Sequence, residues 1–216
     1  MPRVGVSNIR KKQLIEATIA AIHAHGYDDT TMAKIAKRAG MSPGLIAHYF
    51  GSKDELLEAT MRSLLTDLQA LVSQRLAAAG RAPRARLEAI VGANFDESQC
   101  ARETVSAWLA FWGQVPHVPA LGRLQRVYAR RLHSNLKREF GRLGVAPQET
   151  DYLAEVTASL IDGVWMRAGL SGGGLDTVGA RRLVGETIDL HLAARGIARA
   201  ADDHSDAAER KKRKTA

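Results

Sequence analysis

The sequence predicts an all-α fold of about nine helices, a three-helix unit followed by a larger helical unit, and three observations point that way. Ala and Leu dominate a chain that is 45% hydrophobic, and β-branched runs of the kind that make strands are missing. Apolar residues recur at helical spacing along most of the length. Gly, Pro and capping Ser/Thr residues punctuate these stretches, with only six prolines in 216 residues.

The elements follow in order. Residues 8–25, "NIRKKQLIEATIAAIHAH", place Ile9, Leu14, Ile15, Ala17, Thr18, Ala21 and Ile22 at helical spacing, and Gly26 is a suitable stop. After the polar "YDDTT", Thr30 or Thr31 caps a second helix, "MAKIAKRA", with Ile35 and Ala36 turned inward and Gly40 at its end. Ser42 caps a third, very short helix over 43–50, with Pro43 at its first position, where a missing N–H costs nothing. Ser52 followed by Glu55 forms a capping box that opens a long fourth helix from Lys53. Further helices are expected at about 84–97, 102–113, 120–142, 148–170 and 176–195. They are separated by "GRAP", "QVPHVP", "LGVAP" and "SGGG". The polar tail over 197–216, with "RKKRK" near its end, reads as a disordered basic tail.

The chain carries 31 Lys+Arg against 23 Asp+Glu, a net charge of +8 and a pI near 9.9. Such a surplus suits nucleic acid or an anionic surface without demanding either. One cysteine, Cys100, excludes an internal disulfide and fits a cytoplasmic location, where it reads as a structural thiol rather than a nucleophile. No apolar run reaches the roughly 18 residues of a membrane span. The N-terminus lacks a signal-peptide core. GxGxxG, a nucleophile elbow and metal-ligand spacing among the seven His are all missing, so an enzyme is disfavoured and no cofactor or metal is expected.

The first 50 residues have the logic of a helix-turn-helix, residues 31–50, inside a unit over 1–52. A helix that enters a major groove about 12 Å wide needs a small outer face. Gly44 and Ala47 provide one, beside His48 and Tyr49, which can bond to bases or phosphates. Leu45, Ile46 and Phe50 anchor the helix from behind. Lys53, at the start of helix four, can meet a phosphate together with free backbone N–H groups. Residues 1–53 hold eight Lys/Arg and three Asp/Glu. A three-helix packing unit with a solvated basic face would show the same pattern.

The segment "TTMAKIAKRAGMSPGLIAHYFGSKDELLEA" resembles the DNA-binding part of the tetracycline-repressor (TetR) family, over about 8–68. The resemblance implies that the short third helix is the recognition helix and that Thr31, Ser42, Gly44, His48, Tyr49 and Lys53 occupy DNA-contacting positions. It also implies a helical effector-binding domain, here 53–196, and a homodimer formed by the last two long helices, about 148–170 and 176–195. Two copies about 34–36 Å apart would read a palindromic operator. Those helices offer Leu153, Val156, Leu160, Val164, Leu183, Val184, Thr187, Ile188, Leu190 and Leu192, for an interface or for the internal core.

In the second unit, "AWLAFWGQ" sets Trp108, Phe111 and Trp112 on one helical face, and "LIDGVWMRAGLSGG" sets Asp162 and Trp165 three apart. Aromatic faces attract a quaternary ammonium and a carboxylate supplies the counter-charge, so these residues, with Phe95 as further wall, can form a box for an organic cation. Asp162 has apolar sequence neighbours and needs a partner if buried. A Trp stripe is also ordinary core, and Asp162 can pair with Arg167 or an arginine of helix seven. The arginines of helix seven read as a solvated face with carboxylate partners on neighbouring helices.

"MPRVGVSNIRKKQLIEATIAAI", "AIVGANFDESQ", "AWLAFWGQ", "RLHSNL" and "LIDGVWMRAGLSGG" are similar to the choline-responsive repressors of glycine betaine synthesis genes, a match running from residue 1 to about 195. The resemblance implies a repressor of genes for choline uptake and oxidation to betaine, with choline as effector. A TetR-like repressor of another organic cation or of an apolar small molecule is the alternative. A nonspecific nucleoid-type DNA binder is a further rival.

Overall fold

The computed structural model describes residues 3–172 and 174–197, so the basic run of the tail lies outside the described residues. These residues form nine helices and no strand: α1 (Arg3–His25), α2 (Met32–Ala39), α3 (Pro43–Phe50), α4 (Lys53–Ala78), α5 (Pro83–Asn94), α6 (Arg102–Gln114), α7 (Pro119–Arg142), α8 (Pro147–Ser171) and α9 (Thr177–Ala193).

The expected caps form. Thr31 Oγ1 accepts from Lys34 N at 3.2 Å, Ser42 Oγ from Leu45 N at 3.3 Å and Ser52 Oγ from Glu55 N at 3.1 Å. Thr30 instead buries its hydroxyl, which donates to Gly26 O. The capping box at Ser52 has only its forward arm, because the Ser52 N–H donates to Phe50 O.

Two elements differ from expectation. Helix α1 runs back to Arg3 and takes Gly5 into its first turn. Helix α5 stops at Asn94 rather than 97. Asp96 there turns the chain by accepting from the N–H and hydroxyl of Ser98, and it pairs with Arg75 of α4.

Two cores result. Leu14, Ala17, Ala21, Ile35, Ala36, Ile46, Phe50 and Leu56 hold α1–α3 and the first turn of α4 together. The larger core spans α4–α9 and takes in Ile22 from α1 and Leu57 from α4. Helices α1 and α4 therefore belong to both, and α1 lies along α6 while α7 packs along α8. Gly169 lets α8 and α6 approach closely: a Cβ there would meet Leu109 and Val105 side chains at 2.5–3.1 Å.

The turn between α2 and α3 depends on Gly40, which is left-handed at φ 63°. A Cβ there meets nothing within 4 Å, so the cost of Gly40→Ala is backbone strain alone. Urea denaturation should register a loss of about 1–2 kcal/mol.

Candidate functional site

Helix α3 stands on two buried residues, Ile46 and Phe50, with Leu45 half-buried beside them. Its other face is open: Gly44, Ala47 and His48 are exposed and Tyr49 is half-buried. The His48 and Tyr49 rings meet edge-on with centroids 5.4 Å apart. Helices this short are marginal alone, so burial of Ile46 and Phe50 and the Ser42 cap hold α3 in shape. Thr31 and Ser42, both exposed, spend their oxygens as caps but keep O–H donors suited to a phosphate. Arg10, Lys11, Lys12, Lys37 and Arg38 are exposed on the same unit.

Lys53 has a role that sequence reading missed. Its ammonium donates to Tyr27 O at 2.6 Å and Asp28 O at 3.4 Å, and sits 4.1 Å from the Tyr27 ring centroid. Tyr27 Oη in turn donates to Asp54 Oδ1 at 3.1 Å. Burial, then the Asp54 hydrogen bond, pushes the Tyr27 phenol up to about 12, so it stays a donor. Lys53 therefore fastens the start of α4 to the α1–α2 turn and has one proton left for a phosphate.

The second site lies inside the helical unit. Trp108 and Trp112 of α6, Tyr128 of α7, Asp162 and Trp165 of α8, with Leu68, Asn94 and Gln99, line one cavity. Trp108 is central, its ring centroid 5.7 Å from those of Trp112 and Tyr128 and 6.2 Å from Trp165. Trp165 Nε1 donates to Asn94 O at 3.1 Å, which fixes the indole. Four of the six residues expected at the site meet here. Phe95 and Phe111 do not line it: both are fully buried core, Phe111 backing Trp108 edge-on at 5.7 Å. Tyr128, Asn94 and Gln99 were not foreseen.

Asp162 pairs with neither Arg167 nor an arginine of α7. Tyr128 Oη donates to Asp162 Oδ1 at 3.0 Å, and no salt bridge to Asp162 occurs among the described residues. Burial raises its carboxyl above the ordinary range; the Tyr128 hydrogen bond opposes this and Glu155 adds to it. The same burial drives Tyr128 well up, so the phenol keeps its proton. A partly desolvated carboxylate thus faces aromatic rings without a cation. The cavity volume here is only about 10 Å³. That is room for about one water.

A physical link joins this site to the three-helix unit. Ser106, half a turn before Trp108 on α6, bonds His23 Nδ1 of α1 at 2.8 Å. Elsewhere, burial pushes the Cys100 thiol up to about 12, which leaves it without thiolate character near neutral pH. The helix α7 cations divide: Arg138 and Arg142 pair with Glu139 and Lys137 with Asp151, whereas Arg131 bonds the neutral Gln69. On α8 and α9, Leu153, Val184, Ile188 and Leu192 are internal core, while Tyr152, Met166, Leu170, Val178, Leu183 and Leu190 face outward. No described helix is long and apolar enough to cross a membrane.

Comparison with known proteins agrees with this division into two units. Residues 14–60 match the model of bacterial regulatory proteins of the tetR family. Residues 83–193 match that of the BetI-type transcriptional repressor, C-terminal. The HTH-type transcriptional regulator BetI of Burkholderia thailandensis is 49% identical over 195 residues, 90% of this chain and 100% of the relative. That of Burkholderia mallei is 50% identical over the same spans. A putative transcriptional regulator from Pseudomonas aeruginosa superposes with a TM-score of 0.74 at 28% identity, over 88% of this chain and 95% of that one. A putative transcriptional regulator from Saccharomonospora viridis, solved in complex with choline, shares the fold with a TM-score of 0.67 at 22% identity, over 82% and 94%. With a recognition-type short helix on one unit and a BetI-type helical unit behind it, the chain belongs to the TetR family of helix-turn-helix transcriptional repressors.

Proposed function

We propose that this repressor controls genes for choline uptake and glycine betaine synthesis and that choline is its effector, bound in the tryptophan box. The observation that carries this reading is Asp162: a partly desolvated carboxylate, without a cationic partner, among Trp108, Trp112 and Trp165. Aromatic faces and a carboxylate together suit a quaternary ammonium. The BetI relatives and the choline complex of the Saccharomonospora protein support the assignment. The box holds about one water as it stands, so a trimethylammonium group enters only if Tyr128 leaves Asp162 and the indoles part.

Two chains pair through the outward residues of α8 and α9, and each α3 lies in a major groove of a palindromic operator. Gly44 and Ala47 face the bases, with His48 and Tyr49 contacting bases or phosphates and Thr31, Ser42 and Lys53 the backbone. Displacement of α6 by the ligand reaches α1 through Ser106–His23, and α4 carries the change to Lys53. The ligand shifts the equilibrium only by its differential affinity for the two arrangements.

Calorimetry with choline, betaine and betaine aldehyde tests the effector, and operator titration at saturating choline tests release. Binding of none of the three removes the effector claim; unchanged operator affinity removes release but leaves repression. His48→Ala should weaken operator binding by about tenfold, since one base or phosphate contact is worth about 1–3 kcal/mol. Fluorescence anisotropy with operator and random DNA reads this loss.

Choline is a permanent cation, so any pH dependence of its binding belongs to the protein. Burial raises the Asp162 carboxyl in the free state and a bound cation lowers it again. Affinity should therefore be full at neutral pH and fall, by up to about tenfold per unit, as pH drops through the raised value. Binding in that window should release a proton, visible as a buffer-dependent heat.

A further inference from the structure

A second and larger cavity opens between α4, α5 and α7. It is lined by Leu65, Leu68, Val72, Leu76, Ile90, Val127 and Leu132, with Gln69, Ser73, Asn94, Arg131 and Asn135 at its polar positions. Its volume is about 320 Å³, against about 10 Å³ in the tryptophan box. The two share Leu68, Asn94 and Tyr128. Tyr128 is therefore a partition: its hydroxyl bonds Asp162 in the box, and the residue also lines the groove.

We propose that the groove is a binding compartment for the uncharged chain of an extended quaternary ammonium ligand, a choline ester, whose trimethylammonium head occupies the box. This rests on the reading of the box as a quaternary-ammonium site. The lining selects this class. Seven aliphatic side chains favour a chain without charge, and the neutral Gln69, Ser73 and Asn135 can bond an ester carbonyl. Arg131, exposed and held by Gln69, disfavours a second cation in the groove. The shared walls fix the connection: when Tyr128 releases Asp162 to admit the head, the box opens along Leu68 and Asn94 into the groove. Choline alone leaves the groove empty; an ester fills both compartments.

The test is calorimetry on the full chain with choline and its acetyl, butyryl and hexanoyl esters. Each methylene buried in the groove should raise affinity about threefold to fourfold, so the hexanoyl ester should bind at least tenfold more tightly than the acetyl ester. Val72→Trp fills the groove from α4 without touching the box, and Ser73→Trp does so from a more exposed position that spares the core. Both variants should bind choline within about twofold of wild type and lose the gain with chain length. Affinity that stays flat or falls along the wild-type series overturns the proposal, as does a gain kept in both variants. If choline itself fails to bind while the chain-length gain and its loss in the variants persist, the groove stands and the choline reading of the box falls.

Discussion

Glu139→Ala is expected to lower stability by about 3 kcal/mol, the low end of what losing one partner of a buried ion pair costs. Glu139 sits in α7 with its side chain fully buried, and three arginines converge on it: Arg86 Nε at 2.9 Å, Arg138 Nε at 3.1 Å and Arg142 Nη1 at 2.7 Å. Two of these arginines also hold the α4–α5 turn. Arg86 donates to Leu76 O and Gly80 O, and Arg142 to Arg81 O. One carboxylate thus locks the end of α4 and the start of α5 onto α7. Alanine strands Arg86, which is 16% exposed, whereas Arg138 and Arg142, at 56% and 40%, can turn to solvent. That difference sets the estimate at the low end. Burial pushes the Glu139 carboxyl up, but hydrogen bonds from Arg86 and Arg142 outweigh it and its value is lowered. Its stabilisation is therefore present above the ordinary carboxylate range and lost as pH falls through the lowered value. Urea denaturation at fixed protomer concentration should give a lower midpoint with an unchanged slope. A loss under about 1 kcal/mol would mean that water already solvates the cluster.

The sequence carried the helices because their signals are local: caps such as Ser42, stops such as Gly40 and apolar spacing all lie within a few residues of what they control. It also carried the short third helix, whose open face of Gly44, Ala47 and His48 is read from one short segment. The box was half legible. Trp108 and Trp112 share a face at i and i+4, and Asp162 and Trp165 nearly do, so each pair announces itself. Phe111 has the same spacing yet points into the core, because a stripe one residue wider than the cavity has to end against protein. Phe95 follows the last turn of α5 and is buried where that helix stops early. Tyr128, Asn94 and Gln99 come from three other segments with no periodic or motif signal, and only tertiary packing assembles them. The one available hint was physical: a buried Asp162 needs a donor, and a tyrosine on α7 satisfies it as well as the arginines there. Lys53 and Tyr27 were hidden for the same reason, since their contact spans 26 residues of sequence.

Asp162→Asn should separate binding from folding. In the reading proposed here, the carboxylate is the counter-charge of the bound ammonium in a water-poor box, and truncating one side of such a pair costs about 2–5 kcal/mol. Choline affinity should fall by at least about 30-fold. Operator binding without choline should be unchanged, because the Asp162 hydrogen bond runs to Tyr128 of α7 and not to α1 or α3. Stability should move the other way or stay level. The folded-state carboxyl is raised by burial, so its ionised form is a net burden at neutral pH, and a neutral amide removes that burden while Asn Oδ1 can still accept from Tyr128 Oη. Trp108→Ala gives the contrasting pattern. It too should abolish choline binding, but at about 3–5 kcal/mol of stability, because Trp108 is core as well as wall. Calorimetry with choline, urea denaturation and operator anisotropy on both variants distinguish the cases. If Asp162→Asn weakens choline by less than about threefold, the carboxylate is not the counter-charge and aromatic faces alone hold the cation. If it destabilises the protein as much as Trp108→Ala does, the Tyr128–Asp162 bond is a structural strut between α7 and α8 rather than a latch that ligand opens. Only loss of affinity at undiminished stability fits a charge kept in the box for the ligand.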